Sequence, residues 1–310
     1  MAGIYVFYQG ENSNGQLRYS VFDLASSTWG PDTPVPNVSM SKSPSAVVTR
    51  GGIAVFHQGA FEDGRLYFTY FNGTTWGPDT PVPNVGISFS PSAVAFPAPA
   101  GAVSVFHQGA YQDGKLYFTY FDGTTWRPDT QLANVGIASS PSAVAYTGGI
   151  AVFHQGLIDA GGVEQGDGQL WYSYTPDGAN WTSDMPIPNV EEVTSEPSAV
   201  VFPGGGLSVF HQRTALGGND YLWYTSFDGT NWTTLDAPLF SVFEPGTPSA
   251  IVLPAPVGAV SVFHQGTALS GGGVQNDGTL WYTYFDGTNW VSNTQVPNVA
   301  ISGAPSAVVF

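Results

Sequence analysis

Short apolar runs, rich in β-branched and aromatic residues and separated by Gly, Pro, Asn and Asp, recur from one end of the chain to the other. Such runs predict strands, and their even spacing predicts one folding unit repeated. The last full unit shows the order. Pro248 opens a run through Ser249, Ala250, Ile251, Val252 and Leu253, and a Gly/Pro turn leads to a second run from Ala259 to Gln265. A Gly-rich loop precedes a third run, Leu280 to Phe285. The Asp286-Gly287 turn then passes the chain to Asn289, Trp290 and an outer segment ending at Asn298. The first run reopens at Pro44, Pro91, Pro141, Pro197 and Pro305, so the unit is counted six times with a period of roughly fifty residues.

Four antiparallel strands per unit make one blade, and the expected fold is an all-β six-bladed β-propeller. The small Ser-Ala pair of the first run suits an innermost strand, where blades crowd the axis. Residues 305–310 read as an inner strand with nothing after it, and Ile4 to Phe7 as a second strand with nothing before it. Pairing them completes the blade begun at residues 3–38 and removes open sheet edges. The whole chain, 1–310, is then one domain closed by its C-terminal strand. Trp29, Trp76, Trp126, Trp181, Trp232 and Trp290 each open an outer strand, and their large rings are expected to fill the wedges between blades. The Asp-Gly pairs before them are hairpin turns.

Composition narrows the function. With 23 acidic and 7 basic side chains, a formal charge of −16 repels phosphate backbones and anionic membranes, so no nucleic-acid partner is expected. The absence of cysteine excludes disulfides, thiolate metal sites and cysteine nucleophiles. No run of eighteen apolar residues and no leader-like start occur, which sets the expectation of no membrane insertion and of a cytoplasmic or non-classically secreted protein.

Every histidine falls at one place in the repeat, between a Phe and a Gln, giving His57-Gln58, His107-Gln108, His154-Gln155, His211-Gln212 and His264-Gln265. The remaining blade reads Tyr8-Gln9. The third strand starts with a nearly constant Leu followed by a variable position: Arg18, Tyr67, Tyr117, Trp171, Trp223 or Trp281. If the hairpin pairs symmetrically, each imidazole and its aromatic partner lie on one side of the sheet. An aromatic face suits the C–H face of a sugar, and imidazole and carboxamide groups suit its hydroxyls. These pairs are the expected carbohydrate-binding residues, repeated at the blade edges. Asp63, Asp113, Asp167 and Asp277, each before a Gly, are secondary candidates that turn formation alone explains. Tyr8 and Arg18 in the first blade, and Arg213 with Asn219-Asp220-Tyr221 in the fifth, break the pattern. Residues 156–168 and 266–278 form longer glycine-bearing loops, which either cover a ligand or move freely.

The motifs Val262-Phe263-x-x-Gly266, Asp277-Gly278-x-Leu280-Trp281 and Asp286-Gly287-x-x-Trp290, after a small-residue inner strand, resemble the repeat of bacterial and fungal β-propeller lectins. The resemblance is greatest to the Photorhabdus lectin-like group and more distant to the fungal fucose-binding lectins, and it covers essentially the whole chain. It implies sugar binding in several pockets per ring, between or beside blades. His-Gln stands where those repeats differ, and Arg18, Arg50, Arg65, Arg127 and Arg213 are too few for an arginine-centred site in every blade. The expected function is therefore a multivalent lectin for neutral sugars or glycan termini, with glycans as partners, no cofactor and no metal. A protein-interaction scaffold is the alternative. An enzyme is not expected, because glycoside hydrolysis needs two opposed carboxylates and Glu191, Glu192 and Glu196 cluster without an acid/base partner.

Overall fold

The computed structural model of the chain describes residues 2–11, 14–95, 102–159, 164–202, 205–214, 220–233, 235–243, 246–253, 260–270 and 273–310. Among them, the apolar runs become strands that pair into six four-stranded antiparallel blades. In the third blade the inner strand Ser92–Ala95 pairs with Val103–Gln108, that with Lys115–Phe121, and that with the outer strand Thr130–Gly136. Two long strands, Thr33–Thr49 and Trp290–Val309, each serve as the outer strand of one blade and the inner strand of the next. The terminal segments meet as expected. Ile4 lies opposite Val309 and Val6 opposite Ala307, and Gly3 and Phe310 exchange backbone hydrogen bonds of 2.8 and 2.9 Å.

The Ser-Ala pair of each inner strand now has a physical reason beyond its small size. An innermost strand has no strand on its axial side, so its N–H groups there need other acceptors. In every blade the Ala N–H donates to the Ser Oγ of the preceding blade. Ala46 reaches Ser306 at 2.9 Å, Ala93 reaches Ser45 at 2.9 Å and Ala143 reaches Ser92 at 2.8 Å. Ala199 reaches Ser142 at 3.0 Å, Ala250 reaches Ser198 at 2.9 Å and Ala307 reaches Ser249 at 3.1 Å. The six bonds return to their starting blade and form a ring.

Farther out, the tryptophans fill the wedges. Trp126 packs edge-on against Phe56 and tilts over Phe68, both of the preceding blade, and meets Phe121 of its own. Trp76, Trp181, Trp232, Trp290 and Trp29 repeat this on Phe7, Phe106, Phe153, Phe210 and Phe263. Each such aromatic pair adds about 0.5–1.5 kcal/mol beyond the area it buries. The constant leucine of the third strand is wholly buried in all six blades, as Leu17, Leu66, Leu116, Leu170, Leu222 and Leu280.

Strand alternation sorts the connections onto two faces. Second-to-third and outer-to-inner connections lie on one face, called here the histidine face, and inner-to-second and third-to-outer connections lie on the other. The ring of hydroxyls is testable in isolation. Ser142→Ala leaves the Ala199 N–H without its acceptor and should lower unfolding free energy by about 1–3 kcal/mol in denaturant titration. A smaller loss at Ser142 than at an exposed serine such as Ser26 would remove the ring's role.

Candidate functional site

The second and third strands pair in the symmetric register expected from their sequence. His57, His107, His154, His211 and His264 stand opposite Tyr67, Tyr117, Trp171, Trp223 and Trp281. His57 and His107 stack on their tyrosines with ring centroids 5.9 Å apart. The imidazoles do not, however, reach the surface: all five histidines are 0% exposed. The Nδ1 of His57 meets the backbone O of Gln58 at 3.0 Å and its Nε2 meets Asp79 Oδ1 at 3.0 Å. His107, His154 and His211 make the same pair of bonds, with Asp129, Asp184 and Asp236. Both ring nitrogens of each of these histidines thus face an internal oxygen, and neither is left for a ligand.

The glutamines are also used internally. Gln58, Gln108, Gln155 and Gln265 donate through Nε2 to the backbone carbonyls of Ile87, Ile137, Val193 and Ile301, tying the second strand to the outer-to-inner connection. Gln212 sits in the same buried place and donates its backbone N–H to Ser195 Oγ at 3.0 Å. The surface role expected for the His-Gln pairs is thus replaced by a buried strut. Its outer anchor, Asp32, Asp79, Asp129, Asp184, Asp236 and Asn293, was legible as a recurring acid or amide after each tryptophan.

The rings of the set remain half-buried at the blade edge. Tyr67 and Tyr117 donate their hydroxyls to Asp63 and Asp113, and Trp171 donates its indole N–H to Asp167 at 2.8 Å. The other oxygen of each acid accepts the N–H two residues on, at Arg65, Lys115 and Gln169. Asp277 holds the same turn, while Trp281 bonds to Thr279 instead. The rings lie flat over glycines: a Cβ on Gly109 would stand 2.6 Å from Tyr117, and one on Gly156 would stand 2.4 Å from Trp171.

Of the two irregular blades, the first builds the strut by other chemistry and the fifth keeps it and adds an arginine beside it. In the first, Tyr8 donates its hydroxyl to Asp32 at 2.8 Å and Arg18 clamps the same carboxylate. In the fifth, Arg213 lies 4.8 Å over the Trp223 ring and 3.7 Å from Asp236. Asn219 lies outside the described residues. The long glycine-bearing segments extend their hairpins, with Ile158 opposite Gln165 and Ala268 opposite Gln275. They are strand arms over the described residues rather than covers.

Two clefts lie elsewhere, in wedges on the opposite face. Between the second and third blades a cleft of about 300 Å³ is floored by Phe56, Phe68 and Trp126 and rimmed by Thr49, Arg50 and Tyr70. Between the fourth and fifth blades the equivalent cleft, about 520 Å³, has Phe153, Tyr172 and Trp232 below and Thr147, Tyr174 and Thr230 above. Each offers aromatic faces with hydroxyl groups around them, and among the described residues no carboxylate lines either one. Among the described residues no group of three or more potential metal ligands occurs. The sequence hid these clefts because their walls come from consecutive blades.

No protein-family model and no curated protein matches the chain. Among solved structures it is similar to the BP39L lectin from Burkholderia pseudomallei, at 15% identity over 95% of this chain and 81% of that one, with a TM-score of 0.66. An Aleuria aurantia lectin mutant, solved in complex with Fucα1-6GlcNAc, is 14% identical over 96% of this chain and 93% of its own, with a TM-score of 0.63. A structure of the Aleuria aurantia lectin described as a six-bladed β-propeller gives a TM-score of 0.60 over 97% of both chains at 15% identity. At these identities the likeness establishes a shared fold.

His264 differs from the other four in facing the uncharged Asn293, and burial holds its imidazole below the ordinary value of 6.5. The unfolded chain therefore takes up a proton that the folded chain refuses. Stability contributed by the neutral ring is complete above about pH 6.5 and is lost as pH falls from there. Asn293→Asp supplies the carboxylate of the other blades and should move the His264 titration, followed by NMR, to higher pH. An unmoved titration would show that the outer anchor does not govern the ring.

Proposed function

We propose that the chain is a multivalent lectin, a single six-bladed β-propeller domain spanning residues 1–310, ring-closed by its C-terminal strand and binding neutral sugars in the clefts between blades. The observation that carries this reading is the recurrence of one cleft, aromatic below and hydroxyl-bearing above, in two different wedges. Aromatic rings accept the C–H face of a pyranose, while Thr and Tyr hydroxyls and a guanidinium exchange hydrogen bonds with its hydroxyls. Both volumes fall in the range of small-ligand pockets, about 300–1,000 Å³. Lectins solved with Fucα1-6GlcNAc and with α-methyl fucoside share the fold, which supports a glycan as partner.

A protein that only binds fits these clefts better than a hydrolase. A glycosidase places two carboxyl groups about 5–10 Å apart across the scissile bond, and among the described residues neither lining contains an acid. Several weak sites on one rigid ring gain avidity on a glycan-covered surface by raising effective concentration. The half-buried Tyr67, Tyr117, Trp171, Trp223 and Trp281 remain a second sugar edge on the histidine face, supported by acids or hydroxyls that fix most of their ring orientations.

Arg50 is exposed and Tyr70 half-buried at the mouth of the first cleft, so their polar groups can be removed without opening the core. On a glycan array, Arg50→Ala with Tyr70→Phe should weaken binding about tenfold, equivalent to about 1.4 kcal/mol, with an unchanged melting transition. Full binding by the double variant would place the sugar outside this cleft.

A further inference from the structure

Two large aromatic side chains stand clear of the molecule on the histidine face. Phe61 and Tyr111 are each 100% exposed, at equivalent places in the second and third blades. Both occupy left-handed backbone, with φ of 59° and 63°, and so do the residues after them, Glu62 at 53° and Gln112 at 54°. Glycine or asparagine adopts that conformation with less strain, yet four consecutive-pair positions carry other residues. The turns are held rigidly. Ser41 Oγ accepts the Glu62 N–H at 2.8 Å and Ser88 Oγ accepts the Gln112 N–H at 2.7 Å, while Lys42 pairs with Glu62 at 2.7 Å.

Beside Phe61 a groove of about 670 Å³ runs toward the axis, lined in part by Asn14, Ser41, Lys42, Glu62 and Phe89. We propose that Phe61 and Tyr111 are stacking platforms for sugar residues of an oligosaccharide lying on the histidine face, with the groove beside Phe61 taking the hydroxyls of the next residue. This rests on the carbohydrate reading for its ligand class but uses a surface separate from the clefts. The chemistry favours a sugar over a lipid or protein surface. Each platform is a single ring bordered by charged and amide side chains, whereas protein and membrane docking sites need contiguous apolar area. A pyranose needs one ring face and several donors and acceptors within reach, as Ser41, Lys42, Glu62 and Asn14 provide. Sites on both faces would also let one ring join two glycan surfaces.

Phe61→Gly with Tyr111→Gly removes both rings and leaves a residue at ease in the left-handed turn. Titrations with maltotriose, cellotriose and chitotriose, together with bridging of beads coated with the trisaccharide that binds, would compare it with the parent and with the Arg50→Ala, Tyr70→Phe variant. The expected result is loss of one site for each platform removed and loss of bridging, while the cleft variant keeps its platform sites. An unchanged number of sites in the glycine variant overturns the proposal and leaves the cleft reading standing. Loss of binding to phosphatidylcholine vesicles, or of self-association, in place of sugar binding also overturns it. A parent that binds none of the three sugars, nor any glycan on the array, overturns both readings.

Discussion

The hydrogen bond from each inner-strand alanine to the serine of the preceding blade is the constraint on which the rest depends. It turns an exposed sheet edge into a specific contact, and it works only if the next blade presents its own edge at the same height. Because the last bond returns to the first blade, every wedge angle is fixed by the other five. The tryptophans then fill wedges of set width, and the clefts on the face opposite the histidines are what those rings leave open.

A second set of contacts fixes each blade internally. The His-Asp strut runs from the second strand to the outer one, beneath a ring that an acid at the blade tip holds flat. The first blade shows that the geometry outranks residue identity, since Tyr8 and Arg18 reach Asp32 where His57 reaches Asp79. The fifth shows a side chain filling the space a glycine usually leaves, with Arg213 laid over Trp223.

Much of this was legible in the chain. Runs with turn residues between them gave the strands, Ser-Ala marked the axis, the lone tryptophans marked the wedges, and the complementary ends marked the joint between termini. Histidine was misleading for a physical reason. Its strand register and its aromatic neighbour follow from sequence, but whether an imidazole at a strand end faces solvent depends on a partner twenty to thirty residues away, Asp79 for His57 and Asp184 for His154. The clefts were hidden more deeply, because Tyr70 and Trp126 meet only once two blades are set side by side. Exposed Phe61 and Tyr111 read as ordinary loop residues until their left-handed backbone and full exposure are seen together.

One ring is expected to carry several sugar sites. Isothermal titration of the intact protein with a single monosaccharide that it binds measures this most directly, because stoichiometry counts sites without regard to which residues form them. More than one sugar per chain is expected. A stoichiometry of one, or no binding to any monosaccharide or glycan, would contradict it.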